Sequence, residues 1–161
     1  MKKLFFSLFL IVSALPTMNA QNSASPAALR VEILVFSGRP NPVFTLTDPA
    51  QIDNILATAE ALPSSQAASS TATERPTLGY TGIRVTNLSV NRASIQDMQV
   101  GRAGVRINRK PAALGKAAAA RVNPPEVRND ATGALETQLL ALARDHGAID
   151  DHLLARLKKA K

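Results

Sequence analysis

Cysteine and tryptophan are absent from this chain of 161 residues, and aromatic residues make up only 4% of it. Without cysteine, disulfide bonds, cysteine nucleophiles and lipid-anchored lipoproteins are excluded, so the fold must depend on packing alone. The sequence also lacks a Gly-x-Ser-x-Gly elbow, a His-Glu-x-x-His motif and a glycine-rich phosphate loop. The common signatures of serine hydrolases, metalloproteases and nucleotide-binding enzymes are therefore missing.

The first twenty residues have the pattern of a secretory signal peptide. Lys2 and Lys3 form a positive start, Leu4–Leu15 is apolar apart from two serines, and the small Ala20 offers a cleavage site. The apolar run is shorter than a membrane-spanning helix requires. We therefore expect export to the periplasm or the medium, a mature chain that starts at or near Gln21, and no transmembrane segment in that mature chain.

The rest of the chain has the length of one domain. Residues 21–28 are small and polar and are predicted to form a flexible leader, which leaves residues 29–161 for a single domain. A mature chain of 141 residues can bury roughly 68% of its unfolded surface without covalent staples. The stretch 64–76 is polar and of low complexity, and it is predicted to be a surface loop.

Basic residues are concentrated in the middle of the chain. Between Arg84 and Arg128, nine basic residues are set against Asp97 and Glu126 alone, a local charge of +7. Such an excess favours an anionic partner such as an acidic polysaccharide, a cell-wall polymer or lipid head groups. The alternative is that these cations only keep a sheet face hydrated. Nucleic acid is not an expected partner, because this segment contains no aromatic residue on which a base could stack.

The apolar periodicity predicts an α+β fold. Alternation predicts five strands, at residues 29–36, 43–47, 83–88, 95–100 and 105–108. A helix is predicted from Asp48 to Pro63, and two C-terminal helices from about Asp130 to Gly147 and from about Asp150 onward. Residues 110–125 are predicted to be a mostly irregular connection. The order ββα-βββ-αα indicates a mostly antiparallel sheet of about five strands with helices on one face.

Two short segments are the best candidates for a binding site. The turn 37–42 (SGRPNP) is stiffened by two prolines and presents Arg39 and Asn41, which together can hold a carboxylate, a phosphate or a sugar. The segment 78–82 (LGYTG) presents Tyr80, the only tyrosine, between two glycines. In each case a structural role is the alternative: turn formation for Asn41, and a core position with a bonded hydroxyl for Tyr80.

Other candidates are a basic surface and a cluster of possible metal ligands. Strand alternation predicts that Arg84, Arg102 and Arg106 point outward, and they share one surface if the strands that carry them are neighbours in the sheet. The segment 145–152 gathers two histidines and three carboxylates, but a glycine breaks the helical spacing that a metal site would need. We predict a polar connection there, and neither a metal nor a cofactor.

Three segments resemble a set of small uncharacterised proteins from bacteria and fungi. They are Val31–Pro42, Leu78–Gly82 and Leu135–Leu140, with the patterns S-G-R-x-N-P, L-G-Y-x-G and L-E-x-x-L-L. The resemblance supports a single domain and implies an aromatic residue near Phe44. It implies no activity, cofactor or partner.

These observations predict a small exported non-enzymatic binding module of the cell envelope or extracellular space, with an anionic partner. One alternative is a small secreted hydrolase that uses Tyr80 and carboxylates, with Glu32 or Glu136 as members of a pair. Another is an inhibitor of a secreted enzyme, with the loop Gly38–Pro42 as the inserted element.

Overall fold

A computed structural model describes residues 27–35, 38, 40–65, 79–89, 94–102, 104–110 and 124–159. The expected signal peptide, all but two residues of the expected leader, and residues 66–76 of the expected surface loop lie outside the described residues. Arg39 also lies outside them.

The described residues form an α+β fold with six strands and three helices, which confirms the predicted class and element order. The strands are β1 (Leu29–Val35), β2 (Val43–Leu46), β3 (Tyr80–Asn87), β4 (Ile95–Val100), β5 (Gly104–Arg109) and β6 (Glu126–Asn129). They form one antiparallel sheet in the order β2-β1-β3-β4-β5-β6. The helices are α1 (Pro49–Ala61), α2 (Ala134–Asp145) and α3 (Asp151–Lys159). None of these three helices is long and apolar enough to cross a membrane.

The core lies between one face of the sheet and the three helices. The apolar residues in register on this face, such as Val31, Val85 and Met98, are buried together with the apolar stripes of the helices. The stripe of α1 is the one predicted from helical spacing: Ile52, Ile55, Leu56 and Ala59. No helix among the described residues covers the other face, which we call the open face.

Side-chain caps begin all three helices. Asp48 accepts a hydrogen bond from Ala50 N at 2.9 Å, and Pro49 occupies the first turn of α1, as predicted. Asp130 accepts bonds from the first two backbone N–H groups of α2, although the residue directly before that helix is Gly133 with φ 62°. Asp150 accepts a bond from Leu153 N at 2.6 Å.

The predicted count of about five strands is wrong by one, because β6 was assigned to no strand. The side chains of Glu126 and Arg128 in β6 share the helix-covered face with the apolar residues of β5. An apolar alternation is therefore missing from this strand, and its sequence has no recognisable strand pattern. The outer edge of β6 is covered by the chain after α1, since Ser65 N donates to Val127 O and Asn129 N donates to Pro63 O.

Ion pairs replace apolar packing where β6 meets α1. Arg109 contacts both Glu60 and Glu126 at 2.8 Å, and Arg128 contacts Glu126 at 2.5 Å. Arg128 also donates to the carbonyl oxygens of Glu60 and Leu62 at the end of α1. Hydrogen bonds from Arg109 lower the pKa of the Glu60 and Glu126 carboxyls. These contacts connect the end of α1 to the sheet edge.

Candidate functional site

Asn41 has a structural role in the turn between β1 and β2. Its Nδ2 donates to Glu32 Oε1 at 2.8 Å, and its Oδ1 accepts from Val35 N at 3.0 Å. The amide thus closes the hairpin and holds the Glu32 carboxylate in place, in agreement with turn formation.

Tyr80 and Glu136 form a buried pair between the sheet and α2. The segment with Tyr80 was predicted as a loop, and strand β3 was predicted to begin only at Ile83. Instead β3 begins at Tyr80, because a β-bulge pairs this residue with Val35 and turns its ring toward the helices. Its hydroxyl donates to Glu136 Oε1 at 2.7 Å, and the two residues are only 5% and 1% exposed.

The environment of this pair keeps the phenol protonated. Burial raises the pKa of Tyr80, the hydrogen bond to Glu136 raises it further, and the nearby Arg102 guanidinium lowers it by less. Within the part of the chain that the structure describes, Glu136 Oε2 has no hydrogen-bond partner. Both groups lie inside the core, so a substrate cannot reach them without local opening.

The two candidate segments meet at one end of the sheet but on opposite faces. Val35 leads into the first segment and is in register with Tyr80, which brings the two segments together. However, Asn41 lies with Glu32 on the open face, whereas Tyr80 is buried beneath the helices. They therefore do not form one shared patch.

The buried state of Tyr80 predicts an unusual alkaline titration. Below the pKa of an unfolded tyrosine, about 10, both states hold the proton and this group adds no pH dependence. Above about pH 10, the phenol of the unfolded chain loses its proton while that of the folded chain keeps it. We therefore expect the free energy of unfolding to fall by up to about 1.4 kcal/mol per pH unit. Because Tyr80 is the only tyrosine and tryptophan is absent, the near-ultraviolet absorbance of phenolate reports on this one group.

We expect the phenolate absorbance of Tyr80 to appear together with the loss of circular dichroism in an alkaline titration. In Tyr80→Phe, the fall in stability above pH 10 should be shallower than in the wild type, whatever the stability of the variant at neutral pH. Phenolate that forms with an ordinary midpoint in a fully folded chain would contradict the buried pair.

The open face presents a cross-strand row whose four central side chains are polar. In register at one level of the sheet lie Val43, Glu32, Arg84, Gln99, Arg106 and Val127. Three side chains of this row, on three neighbouring strands, are exposed: Arg84, Gln99 and Arg106. Arg30 is also exposed on this face, two residues before Glu32 on β1. Two of the three arginines predicted to share a surface, Arg84 and Arg106, are therefore in one row.

Two carboxylates partly offset the charge of this face. Arg84 Nη1 lies 3.7 Å from Glu32 Oε2, and the Arg84 side chain keeps an exposed fraction of 56%. Asp97 lies one level away and accepts from Asn108 Nδ2 at 2.7 Å. Exposed pairs of this kind contribute about 0–1 kcal/mol, so Arg84 remains open to another anion.

Arg102 belongs to a different part of the surface. It lies in the turn between β4 and β5, where Gly101 N donates to Gly104 O at 2.9 Å, and it is half-buried. Its charge acts on Tyr80 beneath the turn. The expected surface of three arginines is therefore replaced by Arg30, Arg84 and Arg106. Gln99 lies between Arg84 and Arg106 in the row. The alternation of β4 indicated that its side chain points outward, but Gln99 was not among the predicted site residues.

The histidine-rich segment forms the connection between α2 and α3. Gly147 has φ 67°, and Asp150 caps α3. The His146 ring stacks on Phe44 with the ring centroids 5.2 Å apart. In the described ranges, no three His, Asp or Glu side chains are grouped closely enough to hold a metal ion.

No protein-family model, no curated protein and no solved structure matches this chain. The choice among its candidate functions therefore depends on the geometry and chemistry of its own residues.

Proposed function

We propose that the mature chain is an exported, non-enzymatic binding module whose open sheet face contacts an anionic polymer of the cell envelope or extracellular space. The main observation in support is that Arg30, Arg84 and Arg106 lie on a sheet face that no described helix covers. Positive charge on an accessible surface raises the local concentration of anions and speeds their association. Export follows from the signal-peptide pattern of the first twenty residues.

A polymer fits this face better than a lipid surface does. Polar side chains such as Thr45, Gln99 and Asn108 stand among the arginines and are suited to hydrogen bonding. Membrane-surface binding generally requires apolar side chains that enter the interface. The described apolar residues of this face are half-buried or stand at its edges, as Leu34 and Val43 do.

The buried pair favours binding over hydrolysis. A general acid or base must come within hydrogen-bond reach of its substrate. Tyr80 and Glu136 bond to each other inside the core instead. The pair is best explained as a polar contact that holds α2 against β3.

Replacement of Arg30, Arg84 and Arg106 by glutamine should weaken binding to an anionic polysaccharide matrix about tenfold at low salt. Each exposed charge contributes about 0.5 kcal/mol, and three together account for about one order of magnitude. Moderate salt should reduce wild-type retention, because charges beyond about 8 Å are screened at physiological ionic strength. Retention on the matrix across a salt gradient measures the difference.

A matched control removes the same charge from the helix layer, through replacement of Arg156, Lys158 and Lys159 in α3 by glutamine. These residues are exposed on the layer opposite the open face. We expect this control to keep most of the wild-type retention. Equal losses in the two variants would show that only net charge matters and would contradict a binding face. Retention by anionic vesicles but not by the polysaccharide would assign the face to lipid instead.

A further inference from the structure

We infer that the row formed by Arg84, Gln99 and Arg106 is a subsite for a polysaccharide in which uronate and uncharged sugars alternate. The inference rests on the proposed function, because it specifies which anionic polymer the open face would bind. It depends on the order cation, amide, cation across three neighbouring strands.

The spacing of the row suits alternating sugars. Neighbouring strands lie about 4.8 Å apart, so the backbones that carry Arg84 and Arg106 are separated by about 10 Å. In an extended chain of 1,3- or 1,4-linked pyranoses, each sugar advances the chain by a distance similar to one strand spacing. Two uronates separated by one neutral sugar therefore reach the two arginines, and the neutral sugar lies over Gln99. A sugar chain in this position crosses the strands at right angles.

The side-chain chemistry matches the same order. A guanidinium donates two parallel hydrogen bonds to a carboxylate, which gives a geometric preference in addition to charge attraction. An amide both donates and accepts, as does a sugar hydroxyl or acetamido group. A densely charged polymer would place an anion over Gln99, whose amide provides no compensating positive charge.

The borders of the row limit the subsite to β3, β4 and β5. On the β1 side, Glu32 is held by Asn41 and would repel a further carboxylate. On the β6 side, Val127 follows, and its side chain has no hydrogen-bonding group. The next level toward the turn between β4 and β5 consists of Gly101 and Gly104, both half-buried and without side chains. A sugar ring can therefore approach the backbone beside Gln99 and Arg106.

Glu32 should act as a competitor of the bound uronate at Arg84. Glu32→Gln keeps an oxygen that accepts the bond from Asn41 but removes the charge that faces Arg84. We therefore expect this variant to bind the alternating polysaccharide two- to threefold more tightly than the wild type.

The deciding experiment compares the mature chain with Gln99→Ala on three polymers: an alternating glucuronate and N-acetylglucosamine polysaccharide, a galacturonate homopolymer and linear polyphosphate. The matched control is Gln96→Ala, which removes an exposed glutamine from the same strand outside the row. We expect Gln99→Ala to weaken binding to the alternating polysaccharide about fivefold, the loss expected for one hydrogen bond. Binding to polyphosphate should change less than twofold, and Gln96→Ala should bind every polymer as the wild type does. Thermal unfolding of each variant verifies that the fold is intact.

The outcomes separate this inference from the proposed function. If Gln99→Ala binds the alternating polysaccharide like the wild type, or loses the same factor on all three polymers, the subsite is wrong. The proposed function then still stands if the triple arginine variant loses retention. If that triple variant binds every polymer like the wild type, both the proposed function and the subsite are overturned.

Discussion

Replacement of Leu139 by alanine should lower the free energy of unfolding by about 2–5 kcal/mol, the usual range for truncation of a buried leucine. Leu139 lies in the middle of α2 with no exposed surface and belongs to the hydrophobic core between the helices and the sheet. The truncation removes apolar contacts and leaves a cavity that the packed surroundings refill only in part. The midpoint of chemical denaturation, with an unchanged slope, measures the loss.

Leu88→Ala is the matched control for this truncation. Leu88 is 51% exposed just after β3, so we expect its loss to stay below about 1 kcal/mol. A wild-type midpoint for Leu139→Ala would show that α2 is not part of the cooperative fold. The described contact between Glu136 of α2 and Tyr80 would then be wrong as well.

Gly82→Ala should be strongly destabilising, by about 3 kcal/mol or more, or should prevent folding. Gly82, the third residue of β3, has φ 120°, a conformation that residues with a Cβ atom rarely adopt and that costs of the order of 1–3 kcal/mol. An added Cβ would also lie 2.4 Å from Val100 O of the neighbouring strand. Neither backbone can move freely, because Gly82 is paired with Leu34 of β1, and Val100 is paired both with Ile83 of β3 and with Val105 of β5.

Gly101→Ala tests whether the loss of stability expected for Gly82→Ala depends on the positive φ and the close contact at Gly82. At this position the nearest atom to an added Cβ is Gly104 O at 3.8 Å, an ordinary contact. We expect a change within about 1 kcal/mol. Chemical denaturation of both variants, or the soluble yield where Gly82→Ala does not fold, gives the comparison. Equal stability of the two variants would contradict the described geometry of β3.

The strands and helices with regular apolar patterns could be read from the sequence. The stripe of α1, its capping Asp48 and strand β4 agree with prediction residue by residue. These signals are local, because side chains alternate along a strand and repeat about every 3.6 residues along a helix. The outward direction of Arg84 and Arg106 followed from the same periodicity.

The misassigned segments are those whose conformation depends on distant residues. Strand β6 turns Glu126 and Arg128 toward the helix layer, where they form ion pairs with Arg109 of β5 and Glu60 of α1. Tyr80 enters β3 only because a bulge against Val35 changes the register. Its partner Glu136 is 56 residues away along the chain. A local hydrophobic pattern contains no information about such pairings.

The class of fold, the order of the elements and the buried faces of the regular strands and helices could be predicted, because periodicity depends on residues that are close along the chain. The absence of cysteine excluded any disulfide bond. Tertiary structure decided the strand order, the burial of Tyr80 with Glu136, and the alignment of Arg84, Gln99 and Arg106 across three strands. These features depend on register, because the side chains that become neighbours across a sheet are set by how remote segments pair. A shift of one residue would move each of these side chains to the other face.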